Sequence, residues 1–101
     1  MRTPIHPGDI LADELEAIGM NASQFAGVIH VPANRVTLIL KKQRAITADT
    51  ALRLERALGT SAAFWLNLQK TYELDLARQQ SGKAIQRIPK RSETPESRPA
   101  A

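Results

Sequence analysis

Apolar residues recur at helical spacing along most of the chain, and no stretch alternates as a strand would. Leu11, Leu15 and Ile18 fall at i, i+4 and i+7, which predicts a first helix over Asp9–Ile18 with one apolar face. Asp9 sits in its first turn, where a carboxylate complements the helix dipole, and Gly19 supplies a stop. Asn21 is a good N-cap for a second, short helix over Ala22–Ile29, with Phe25, Ala26 and Ile29 on its apolar side. Pro32 opens a third over Ala33–Leu40; first-turn N–H groups have no intrahelical partner, so proline is tolerated there. Val36, Ile39 and Leu40 face inward by spacing.

Thr47 caps a fourth helix, Ala48–Leu58, which ends at Gly59 and carries Asp49 and Arg53 as an i, i+4 pair. Ser61 caps a fifth over Ala62–Gln80. On it Trp65, Leu68, Tyr72 and Leu76 share one face, while Leu66, Leu74 and Ala77 add apolar surface on others. That much apolar circumference predicts packing against the domain on one side and a second subunit on the other. Trp65, Leu66, Leu68, Tyr72 and Leu76 are therefore the candidate dimer residues. From Ser81 the pattern fails, and residues 81–101, with three prolines and five bases, read as a disordered basic tail. The expectation is an all-α domain over residues 1–80 followed by that tail.

Charge sharpens this picture. The chain has 101 residues and a net charge of +4. Residues 1–31 hold one base and four acids, residues 32–58 six bases and two acids. A basic middle and a basic tail point to a polyanionic partner, with a solvated basic surface as the alternative. There is no cysteine, which excludes disulfides, thiolate metal sites and a cysteine nucleophile. His6 and His30 are too few for a histidine-built metal centre, and no cofactor or small-molecule ligand is expected. With no apolar run of about 20 residues and no export signal, the expected location is the cytoplasm.

Two short helices joined by about three residues form the helix-turn-helix layout, whose second helix can enter the major groove of DNA. The stretch PANRVTLILKK offers Asn34, Arg35 and Thr37 for base edges, with Ala33 and Leu38 beside them. Asn pairs with adenine and Arg with guanine through two parallel hydrogen bonds. Lys41, Lys42, Gln43 and Arg44 follow, placed to meet flanking phosphates. Asn21, Ser23 and Gln24, with the amides at that helix start, are further phosphate candidates. Asp9, Asp13 and Glu16, with Glu14 beside them, form an acidic stripe. It reads as a solvated face or as a dock for a basic partner. Nothing completes an active site around these carboxylates, so no enzyme is expected.

The stretches HPGDIL at 6–11, NRVTLIL at 34–40 and RAITADTALRLERALGTSAAFWLNLQKTYEL at 44–74 resemble the HigA-type antitoxins, also called the VapI group. These lie within the lambda-repressor-like (XRE) helix-turn-helix class, and the resemblance covers residues 5–77. It implies a five-helix DNA-binding protein that forms a homodimer on a palindromic operator and represses its own operon. It also implies a protein partner, a HigB-type toxin, a ribosome-dependent mRNA endonuclease related to RelE. Carried over by position, Asn34, Arg35 and Thr37 are the base readers. The sequence departs from the family at Ala22 (commonly glutamine), His30 (commonly glycine), Pro32 (commonly serine) and KKQR at 41–44 (commonly Asn-Gly-Lys-Arg). These departures bear on the contacts rather than the fold. Two alternatives stay open: a free-standing or phage-type repressor without a toxin, and an interaction module that has lost DNA binding.

Overall fold

The computed structural model describes residues 3–91. Five helices follow one another: α1 (Pro7–Ile18), α2 (Ala22–Val28), α3 (Ala33–Leu40), α4 (Ala48–Leu58) and α5 (Ala62–Gln86). The described residues include no strand. Each start has a chemical cause. His6 caps α1 by accepting the Gly8 N–H at Nδ1, 2.9 Å away. Asn21 and Gln24 form a reciprocal capping box on α2. Thr47 caps α4, and α5 is capped twice: Ser61 Oγ accepts the Phe64 N–H and Glu55 of α4 accepts the Ala62 N–H. Pro32, at the start of α3, offers no side-chain cap.

The core gathers one face of every helix. Leu11 and Leu15 of α1 meet Phe25 and Ala26, Val36 and Ile39, Ala51 and Leu54, and Trp65, with Ile29 and Ile46 from the connections. Ile18, placed on the apolar face by spacing, is instead 45% exposed at the last residue of α1, while Leu15 one turn earlier is buried. Trp65 is fully buried, and its indole N–H has no acceptor. An orphan N–H of this kind costs about 1–3 kcal/mol, offset here by the large apolar surface the ring buries. This corrects one expectation: Trp65 has no surface left for a second subunit. Tyr72 is half-buried with its ring edge-on to His6 at 4.8 Å, and Leu66 and Leu68 pack partly against the core.

The end of α5 is a second correction. The apolar pattern fails from Ser81, yet the helix continues to Gln86. A helical glycine costs only about 1 kcal/mol, whereas proline removes a donor and constrains the residue before it. The helix therefore runs until Pro89 is near. The rest of the expected tail, residues 92–101, lies outside the described residues.

Gly8 explains the first family stretch. A Cβ there would collide with the backbone carbonyl oxygen of Ile39, so only glycine lets α1 start against the end of α3. The HPG sequence thus supplies a cap, a first-turn proline and a close approach in three consecutive residues.

Candidate nucleic-acid interface

The helix-turn-helix unit is α2, the turn through His30–Pro32, and α3. Two non-glycine residues with positive φ bracket α3, His30 at 59° and Lys42 at 64°. At His30 the Val31 N–H reaches back to the Ala26 carbonyl. At Lys42 two bonds close the end of α3: Gln43 N–H to Leu38 O at 2.8 Å and Lys42 N–H to Ile39 O at 3.0 Å. This paired closure is the Schellman arrangement, in which the left-handed position is usually glycine. Both sites coincide with departures noted in the sequence. Each side chain accepts a backbone conformation that costs about 1–2 kcal/mol.

On α3, Ala33 and Asn34 are exposed, and Arg35, Thr37 and Leu38 are half-buried along the same outer surface. The Thr37 hydroxyl donates back to the Ala33 carbonyl at 3.1 Å, which leaves its oxygen free to accept. Lys41, Lys42, Gln43 and Arg44 are all exposed beyond the helix end. Asn21, Ser23 and Gln24 are exposed at the start of α2, with Asn21 and Gln24 already serving each other as caps.

Arg35 is not a free side chain. Its Nη1 donates to Asp49 Oδ2 of α4 at 2.8 Å. The same oxygen accepts from Arg53 Nε at 2.9 Å, the predicted i, i+4 pair. Arg53 Nη1 in turn donates to the carbonyls of Ile29 (2.8 Å) and His30 (3.3 Å) in the turn. One carboxylate thus joins α3, α4 and the turn. The Asp49 carboxyl lies below its ordinary range, chiefly through the Arg53 hydrogen bond and then through the charges of Arg53 and Arg35, against a desolvation that raises it. Sequence periodicity identified Asp49 only as an intrahelical partner. Its cross-helix bond to Arg35 spans 14 residues and leaves no periodic trace.

Further connections support this surface from behind. The loop after α3 is pinned where the Ile46 N–H donates to the buried Gln69 Oε1 at 2.8 Å, while Gln69 Nε2 donates to Glu73. The acidic stripe on α1 is divided. Asp9 pairs with Lys42 Nζ at 3.2 Å, Asp13 and Glu16 are exposed, and Glu14 is half-buried. Lys42 therefore links a phosphate candidate to a toxin-docking candidate. Among the described residues no cluster of His, Cys, Asp or Glu could hold a metal, and no helix is long and apolar enough to cross a membrane.

Comparison with known proteins agrees with this geometry. The helix-turn-helix family profile matches residues 11–65. The chain is 49% identical over 76 residues to virulence-associated protein I of Dichelobacter nodosus, covering 74% of this chain and 70% of that protein. It is similar to the structure of an addiction module antidote protein of the HigA family from Coxiella burnetii. The TM-score is 0.85 with 52% identity, covering 89% of this chain and 98% of that one. It is also similar to the Pseudomonas aeruginosa antitoxin HigA solved with the higBA promoter, at a TM-score of 0.83 and 44% identity over 86% and 97% of the two chains.

Proposed function

The chain belongs to the helix-turn-helix family, in its HigA-type antitoxin group, and from this we infer that it is the DNA-binding antitoxin of a toxin–antitoxin pair. The observation that carries the reading is an outward α3 surface of Ala33, Asn34, Arg35, Thr37 and Leu38, followed by Lys41–Arg44. A similar chain that carries this fold has been solved with its promoter.

In this reading two copies bind one operator, each placing α3 in a major groove about one helical turn from the other. Asn34 and Arg35 read base edges. Lys41, Lys42 and Arg44 meet phosphates and make the affinity salt-dependent. The second copy packs against α5 and its surroundings, where Leu66, Leu68, Tyr72 and Leu76 keep some surface and Trp65 does not. The bound antitoxin represses its own operon. It also sequesters a basic RelE-like mRNA endonuclease, with the exposed carboxylates of Asp13 and Glu16 as the complementary patch. The chemistry belongs to that partner; this chain binds.

The test is affinity purification from the native cell with the co-eluting chain identified by mass, alongside duplex binding at two salt concentrations. A stoichiometric small basic protein and a steep salt dependence are expected. A lone homodimer that still binds duplex would replace the antitoxin reading with that of a plain repressor. Absence of any salt-dependent duplex affinity would leave an interaction module.

A further inference from the structure

We propose that Asp49, on α4 and outside the helix-turn-helix unit, is a specificity-determining residue: it fixes the guanidinium of Arg35 so that one bidentate edge stays presented to a base. The proposal rests on the reading of Arg35 as a base-contacting residue and deepens it.

The argument begins with the geometry of the guanidinium. It offers five donors in a rigid plane. The Asp49 bond takes Nη1, which lies on the Cδ side of the group. The Nε–H and one Nη2–H point the other way, parallel to each other, and form the pair that matches guanine O6 and N7. A free arginine has several rotatable bonds to freeze before it can present that pair, at a cost in rotamer entropy. Asp49 takes up part of that ordering within the protein.

Asp49 is itself held. Arg53 donates to the same Oδ2 and anchors to the Ile29 and His30 carbonyls. The Arg35 side chain is 25% exposed, against 57% for Asp49, so the pair is an accessible brace and not a buried core contact. A carboxylate this close to a duplex also opposes phosphate. It lowers binding to every sequence alike, so the gap between the right duplex and the wrong one is widened by the held guanidinium.

The experiment uses the full chain and two duplexes of equal length: one selected from a random-sequence pool by the wild-type protein, and a scrambled control. Asp49→Asn keeps the size of the side chain and removes the charge; Asp49→Ala removes the contact; Asp49→Glu tests rescue. The expected result for Asp49→Ala is a fall of about tenfold in the ratio of selected to scrambled affinity. Scrambled binding should be equal or tighter, and the loss should fall on the same base pair that Arg35→Ala affects. Combining the two substitutions should add little to Arg35→Ala alone. Asp49→Asn should fall between wild type and Asp49→Ala, and Asp49→Glu should recover part of the ratio. Equal weakening on both duplexes, or an unchanged ratio in a folded Asp49→Ala protein, overturns the proposal while leaving the role of Arg35 intact. An unchanged ratio in Arg35→Ala overturns the reading beneath it and the proposal together.

Discussion

The scaffold of α1 and α4 and the reading unit of α2 and α3 meet the same backbone demand in opposite ways. All four helices end near a residue in the left-handed region. On the scaffold that residue is glycine, Gly19 at φ 69° and Gly59 at φ 81°. On the reading unit it is His30 or Lys42. The scaffold also places Gly8 where α1 touches the backbone of α3. Glycine there makes the structure easy to form and offers nothing to a partner. The reading unit accepts strain and gains two polar side chains beside the surface that would face DNA. Strain held at a working surface and relieved elsewhere is a common division of labour.

The comparison can be broken first at its tightest point. Gly8→Ala drives a methyl into the Ile39 carbonyl and is expected to destabilise the fold by about 3 kcal/mol. Chemical denaturation measures it, and a loss below about 1 kcal/mol would mean that α1 and α3 can slide apart cheaply. Next come Gly19→Ala and Gly59→Ala. Each has open space around it, so backbone conformation alone sets a cost of about 1 kcal/mol.

The mirror-image changes should reverse the sign. His30→Gly is expected to stabilise by about 0.5 kcal/mol, the relief of strain less the entropy that glycine adds to the unfolded chain. Lys42→Gly should gain less, because it also gives up the ion pair with Asp9. It should also weaken selected and scrambled duplexes alike and lower the salt slope by about 1. If His30→Gly destabilises, the histidine is doing more than filling the turn.

The smallest effect is graded. Burial, the largest influence, lowers the His6 pKa below 6.5; Asp9 raises it and Lys42 lowers it. The neutral ring is the one that accepts the Gly8 N–H. The unfolded chain therefore takes up a proton first as pH falls. The contribution of His6 is complete above pH 6.5 and is lost as pH drops through the lower folded value. His6→Asn, which can still cap, should flatten the fall in melting temperature below pH 6.5 relative to wild type. A parallel decline in both proteins would remove His6 as the cause.

Much of the fold was legible because its caps are local chemistry. Asn21, Thr47 and Ser61 announce helices that begin where expected, and Gly19 and Gly59 end α1 and α4. The end of α5 was misread because the apolar pattern fails at Ser81, while only Pro89 forbids continuation. Trp65 lies on the expected apolar face, yet periodicity cannot say whether the covering surface comes from the same chain or another. The α3 residues proposed to read bases were chosen by polarity and spacing. The link from Arg35 through Asp49 and Arg53 to the turn could not be, because its partners are neighbours only after α4 has packed.

The burial of Trp65 has a spectroscopic consequence. It is the single tryptophan of the chain, sealed from water and without a hydrogen-bond acceptor for its indole. Its fluorescence should lie at the blue end of the indole range in the native state and move to the red as one transition on unfolding. None of the α3 residues proposed to touch DNA belongs to its immediate aromatic surroundings, which are supplied by Phe64. The emission of the unmodified protein should therefore follow integrity of the core and stay silent when a duplex binds. Loss of fold and loss of affinity in any of these variants can then be separated by colour.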